Sequence, residues 1–193
     1  MGKQITRFYG DDPQTNADYG RIVSDNHFQR LSSMLADGET VVGGQSDAAD
    51  RYLAPTILRN VSPDSALMQD EIFGPLLPVL TVKDSDEAIE FINSRPRPLA
   101  AYVFSTDSAV QRSFVDRTSS GGACINDVVM HLSVPGLPFG GVGTSGMGAY
   151  HGRAGFEAFS HAKSVLKKSN RFEVPLRYPP YSTWKFKWIR RFM

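Results

Sequence analysis

Between Ser24 and Ile125, stretches whose apolar residues recur at helical spacing alternate with short apolar runs, and this alternation narrows the possible folds more than any other feature. Ile5, Phe8 and Tyr9 read as the end of a helix broken at Gly10. Ser24 reads as an N-cap, followed by Phe28, Leu31, Met34 and Leu35 on one helical face until Gly38. Thr40 to Val42 then reads as a strand closed by Gly43 and Gly44, and Arg51 to Val61 as another interrupted by Pro55. Leu76, Leu77, Val79, Leu80 and Val82 form an apolar run short enough for a buried strand. Ser85 is the expected cap of a helix carrying Ala88, Ile89, Phe91 and Ile92, which Pro96 and Pro98 stop. Ala100 to Phe104, a helix capped at Thr106 with Val110, Phe114 and Val115 on one face, and Gly121 to Ile125 repeat the pattern. Strand and helix in turn argue for an α/β layer with parallel pairing.

Function is expected where these elements meet loops. In Met68-Gln69-Asp70-Glu71-Ile72-Phe73-Gly74-Pro75 a carboxylate and an aromatic ring stand at the entrance of a strand. The two acceptor oxygens of Glu71 can hold a vicinal diol such as a ribose, and the ring of Phe73 can cover a flat heterocycle. Equally, Glu71 reads as a solvated residue and Phe73 as core. The segment from Asn126 to Gly155 is rich in glycine with little periodicity, and a loop of this length inside a compact domain is usually functional. Within it Gly141-Val142-Gly143-Thr144-Ser145-Gly146 spells a dinucleotide fingerprint, but it follows Pro138-Phe139-Gly140 rather than a strand. No acidic residue lies about twenty positions on, so the phosphate-loop reading is rejected.

Composition excludes several classes. With 193 residues, 41% hydrophobic and 21% charged, the chain can bury one good core. Its net charge of +1 carries no general nucleic-acid footprint, and no apolar run approaches the length of a membrane span. The single cysteine, Cys124, precludes an internal disulfide and fits a reducing, cytoplasmic compartment. Nothing in Gly121-Gly122-Ala123-Cys124-Ile125 supplies a local cause of thiol reactivity, so Cys124 reads as a small buried hydrophobe. His27, His131, His151 and His161 show no metal-ligand spacing, and no metal site is expected.

Several segments taken in order resemble one family. They are Glu71-Ile72-Phe73-Gly74-Pro75, Leu99-Ala100-Ala101-Tyr102-Val103-Phe104-Ser105, Ser119-Ser120-Gly121-Gly122, Asn126-Asp127-Val128-Val129-Met130-His131, and Pro138 through Gly148 to Ala149-Tyr150-His151-Gly152. The chain resembles the C-terminal part of a class 3 aldehyde dehydrogenase from about Lys3 to Pro180. The resemblance implies NAD- or NADP-dependent oxidation of aldehydes to carboxylic acids: a cysteine thiolate attacks the carbonyl, hydride leaves to nicotinamide, and water activated by a glutamate releases the thioester. It implies that Glu71 holds the nicotinamide ribose, that Phe73 packs by the nicotinamide, and that Phe139 lines the aldehyde tunnel, flanked by Asn126 and His131. Relatives carry the dinucleotide-binding domain, the base and the nucleophile in the part of the chain that precedes this one. The expectation is therefore a fragment, inactive alone: residues 1–162 from the catalytic domain, 163–170 an oligomerisation strand of a homodimer, and 171–193 a basic aromatic tail.

The tail concentrates charge. From Lys163 to Met193 there are nine Lys or Arg and one Glu, a net +8, which leaves −7 for the first 162 residues. As a helix, Trp184, Trp188, Ile189 and Phe192 would share a face; as a strand, Trp184, Phe186 and Trp188 would. Aromatics beside cations suit an anionic membrane surface, peripheral to an intracellular membrane, or a tail folded over its own body or a partner subunit. The competing functional reading is a non-catalytic chain that acts only in assembly or at a membrane.

Overall fold

The computed structural model describes residues 1–192, and the chain divides into two compact units, one over Met1–Arg95 and the other from Pro96 onward. The division falls inside the 1–162 segment.

In the first unit, helix α1 spans Gly2–Tyr9 and α2 spans Asp25–Ser33. The hydroxyl of Ser24 accepts from the backbone N–H of His27, the N-cap its sequence position implies. A 3-10 turn over Met34–Asp37 leads into β1, Glu39–Val42, and a hairpin of β2 (Ser46–Asp47) and β3 (Tyr52–Leu53) precedes β4, Thr56–Arg59. Strand β5 covers Leu76–Val79 and helix α3 Ser85–Asn93. The sheet order is β1-β4-β5, with β1 antiparallel and β5 parallel to β4. Phe28, Leu31 and Met34 of α2 and its following turn bury against Leu53, Leu58, Val61, Leu67 and Leu76. Each such side chain contributes roughly 1.5–3 kcal/mol relative to exposure.

Three local expectations need correction. The run after Pro75 is a strand, but only Leu76 is buried; β5 ends at Val79 and is the sheet's edge, and Leu77, Val79 and Val82 are exposed. Helix α3 is capped by Asp84, not Ser85. The Asp84 carboxylate accepts from the N–H of Glu87, and Glu87 returns a bond to the N–H of Lys83. Likewise Asp107 rather than Thr106 caps the next helix, accepting from the N–H of Ala109. In both cases the neighbouring carboxylate is the stronger acceptor for a helix N-terminus.

The second unit is built on a β-α-β element: β6 (Ala100–Val103), α4 (Ser108–Arg117) and β7 (Gly122–Ile125), with the strands parallel and Tyr102 in register with Cys124. The parallel pairing expected of the strand-helix alternation thus appears in both units. The glycine-rich segment carries 3-10 turns at Met130–Ser133 and Gly143–Ser145, a bridge between Phe139 and Tyr150, and helix α5 over Gly152–Ala158. The sequence resembling a phosphate loop coincides with the second of these turns and follows no strand. Residues 163–170 form no ladder with another described segment, and Val165 and Leu166 are exposed. The tail settles on helix: α6 spans Thr183–Phe192, and Lys185 turns inward to donate from Nζ to the carbonyl of Tyr178 at 2.8 Å.

In the first unit the hydroxyl of Tyr19 donates to the carbonyl of Leu53 at 2.7 Å, with its ring edge-on to Tyr9 and Tyr52. Burial, then the neighbouring phenols of Tyr52 and Tyr9, raise its pKa well above the ordinary 10.0. A raised folded-state value means that its contribution is fully present below pH 10.0 and is lost as pH rises through its ionisation. Stability of the natural chain, measured by urea unfolding, is expected to fall more steeply above pH 10.0 than that of Tyr19→Phe. At neutral pH that variant should lose about 1 kcal/mol for the missing hydrogen bond.

Candidate functional site

The loop before β5 is held from below by α2. Ile72 packs against the buried core, which leaves its neighbours Glu71 and Phe73 pointing outward. Nε2 of His27 lies 2.8 Å from the carbonyl oxygen of Phe73, and Arg30, one turn further along α2, donates to the carbonyl of Ile72. The guanidinium of Arg30 also lies against Nδ1 of His27, so Nδ1 accepts and Nε2 carries the proton donated to Phe73. Gly74 completes the clamp. A Cβ there would stand 2.5 and 2.7 Å from the two methyls of Leu31, so any side chain at this position would have to displace the fully buried Leu31.

What this clamp presents is simple. Phe73 takes a φ of 49°, a left-handed conformation an aromatic residue seldom adopts, and its ring is 77% exposed, edge-on to His27. The carboxylate of Glu71 is exposed and has no hydrogen-bond or ion-pair partner among the described residues. A strained backbone held by surrounding bonds thus offers one uncommitted carboxylate, able to accept two hydrogen bonds, beside one uncovered ring, able to cover a flat group.

The second unit gathers a ring cluster. Phe139 lies edge-on to His131 at 6.2 Å and to Tyr150 at 5.7 Å, and stacks on His151 at 6.0 Å. Tyr102 on β6 meets His131 from another side at 6.0 Å. Thus His131 and Phe139 do come together. Asn126 follows β7 with a φ of 58°, and its side-chain amide is bonded both ways to Ser105, accepting from its N–H at 2.8 Å and donating to its carbonyl at 3.0 Å. Those bonds extend the β6–β7 pairing beyond the strands. Val129 and His151 are also at positive φ, 64° and 84°, so backbone strain concentrates in the segments that frame the rings. Cys124 is not the buried hydrophobe expected. It is partly exposed, and its Sγ lies 3.2 Å from Nδ1 of His131. The local pentapeptide concealed this because the partner comes from the next turn of chain.

Sequence reasoning missed His27 and Arg30, which grip the Glu71–Phe73 loop, and the participation of Tyr102, Tyr150 and His151 around Phe139. The 27/30 spacing marks one helical face, but no local signal says that this face bonds to carbonyls more than forty residues away. A cleft of about 870 Å³ also opens in the first unit beside Val41, Ile57, Arg59 and Val79. Its side-chain cation, Arg59, is paired with Glu39, whose carboxyl that hydrogen bond holds below the ordinary range. Among the described residues no group of three or more His, Cys, Asp or Glu could hold a metal ion.

Comparison with known proteins gives these arrangements a family. Residues 3–165 match the aldehyde dehydrogenase family. The chain is 54% identical over 181 residues to aldehyde dehydrogenase family 3 member B1 of Mus musculus, covering 93% of this chain and 39% of that protein. Its fold matches the substrate-bound state of Staphylococcus aureus AldH with a TM-score of 0.86 at 50% identity, covering 98% of this chain and 42% of the other. It also matches a Mycobacterium tuberculosis aldehyde dehydrogenase complexed with NAD+, with a TM-score of 0.72 at 29% identity over 84% of this chain and 34% of the other. The chain spans about two fifths of the length of the first two relatives. Matched through most of its length in sequence and in fold, and 54% identical to a family 3 relative, the chain belongs to the aldehyde dehydrogenase family in its class 3 branch.

Proposed function

We propose that this chain supplies the ribose-holding edge and part of the aldehyde-lining wall of an NAD(P)-dependent class 3 aldehyde dehydrogenase. The observation that carries the reading is the Glu71 carboxylate, uncommitted at the tip of a loop that His27 and Arg30 grip by its backbone. Two acceptor oxygens suit the paired hydroxyls of a ribose, and the exposed ring of Phe73 suits the face of a nicotinamide, so the residues present fit the cofactor. When bound, the cofactor accepts a hydride from the aldehyde carbon. The part of this chain is positional: Glu71 fixes the sugar, Phe73 limits how far the attached ring can swing, and the clamp from α2 keeps both in place. In the second unit Phe139, with Tyr102, Tyr150 and His131 around it, offers an apolar wall that excludes water from an aldehyde. Asn126 serves that wall by holding the end of β7 to Ser105.

The test is reconstitution. The chain, alone and mixed with the preceding part of a class 3 relative, would be assayed for reduction of NAD and NADP with aliphatic and aromatic aldehydes. Turnover is expected in the mixture. Glu71→Gln should raise the cofactor KM by about tenfold or more, the scale of a lost charged hydrogen bond. Phe139→Ala should raise the aldehyde KM with the cofactor KM unchanged. Turnover insensitive to Glu71 would remove the ribose assignment, and absence of turnover in every mixture would leave a chain that acts only in assembly.

A second reading concerns 163–192. Lys163 to Leu166 lacks a ladder partner within the described chain and exposes Val165 and Leu166, which suits pairing with the sheet of a second subunit in a homodimer. No helix among the described residues is long and apolar enough to cross a membrane. Helix α6 instead exposes Trp184, Trp188 and Phe192, with Lys187, Arg190 and Arg191 alongside, an arrangement that suits peripheral attachment to an anionic membrane. Co-sedimentation with vesicles containing anionic lipid is expected for the full chain, weakening at high salt, and not for a chain ending at residue 180. Equal sedimentation of the two would end the membrane reading.

A further inference from the structure

Cys124 and His131 are seven residues apart, yet the chain folds back between them. Val129, held at a φ of 64°, precedes the turn Met130–Ser133, and that turn lays the imidazole over β7. Gly122 and Cys124 share one face of the strand by their spacing, and Tyr102 stands beside Cys124 in register. The imidazole rests where a side chain at 122 would be: a Cβ there would lie 2.7 Å from Cδ2 and 2.8 Å from Nε2 of His131. Nε2 is buried and makes no hydrogen bond, so the only polar partner of the ring among the described residues is the thiol, at 3.2 Å from Nδ1. Tyr102 and Phe139 hold the same ring edge-on, at 6.0 and 6.2 Å. A thiol beside one base nitrogen, with that base fixed by packing rather than by competing hydrogen bonds, has the geometry of an activated nucleophile.

We propose that Cys124 and His131 form a thiol-capture site for α,β-unsaturated carbonyl compounds. Nδ1 of His131 takes the thiol proton as Sγ attacks the β-carbon. The S–C bond forms while the C=C π bond breaks, and its electrons move onto the carbonyl oxygen as an enolate. The imidazolium then returns the proton to the α-carbon, leaving a thioether, an intact carbonyl and a neutral histidine, so neither oxidant nor reductant is needed. Two features favour this class over oxidation. The chain holds one cysteine, so no second thiol can resolve an oxidised sulfur into an internal disulfide. Tyr102, in register with Cys124, and Phe139, edge-on to His131, put aromatic surface around the thiol–imidazole pair, which suits a planar conjugated ligand. The site rests on this geometry and not on the dehydrogenase reading.

Because the thiol is unique, the reaction can be followed by intact mass. The natural chain, His131→Gln and Cys124→Ser would be incubated at neutral pH with a medium-chain 2-enal, with the saturated aldehyde as control, and the natural chain also in denaturing urea. One stable adduct per natural chain is expected, forming about tenfold faster than in His131→Gln and than in the urea-unfolded chain. Cys124→Ser should form none at that rate, and the saturated aldehyde none that survives dilution. A folded chain no faster than the unfolded one would overturn the proposal without reference to any variant. Equal rates for the natural chain and a His131→Gln chain shown by circular dichroism to be folded would overturn the role of the histidine.

Discussion

Leu31 is fully buried at the centre of the first unit, and the loop over Ile72 to Pro75 reaches the core only by lying directly on it. The arrangement depends on an absence, the missing side chain at position 74. Because the loop is seated there, the carbonyls of Ile72 and Phe73 come within reach of Arg30 and His27 from the same helix. Those bonds in turn hold Phe73 in a conformation that costs on the order of 1 kcal/mol to maintain. Packing thus precedes polarity in this site: an aliphatic contact fixes the register, hydrogen bonds fix the carbonyls, and the outward side chains follow from the alternation of the backbone.

Most of the secondary structure was legible because it is local. Phe28, Leu31 and Met34 advertise their helix by spacing, and Gly43, Pro55 and Pro96 mark ends in the way their backbone chemistry requires. The misplaced caps at Ser85 and Thr106 each fell one residue from a carboxylate able to do the same work, Asp84 just before the first and Asp107 just after the second. Burial was less legible. An apolar run looks the same in a central strand and at an edge, and only the order β1-β4-β5 shows that Leu77 and Val79 lie outside the core. Glu71 and Phe73 stood out by their motif, whereas His27 and Arg30 bond to carbonyls more than forty residues away and leave no trace in any window of sequence. Cys124 shows the same limit: the pentapeptide around it gives no sign of the histidine that a left-handed valine returns to within 3.2 Å of its sulfur.

Both units leave apolar surface and strand edges without cover. Phe104, Phe156 and Phe159 are exposed in the second unit, and Leu77 and Val79 in the first, an amount of uncovered surface that soluble monomers seldom carry. The two-stranded sheet of the second unit has two open edges, and the three-stranded sheet of the first has β1 and β5 at its limits. Relatives of more than twice this length share the fold over the matched part.

Lys185 sits in the first turn of α6 on the side occupied otherwise by apolar side chains, and it is buried with its ammonium on the carbonyl of Tyr178. That bond works as an index pin. A short helix with apolar residues around more than half its circumference has no strong preference for one rotational setting, since any roll exchanges one aromatic for another. A charged group tied to a carbonyl outside the helix removes that freedom, because rolling would strand a buried ammonium. The rotational setting of Trp184, Trp188 and Phe192 is therefore tied to a lysine in their own sector of the helix, whose ammonium turns inward to Tyr178 while the aromatic rings stay exposed.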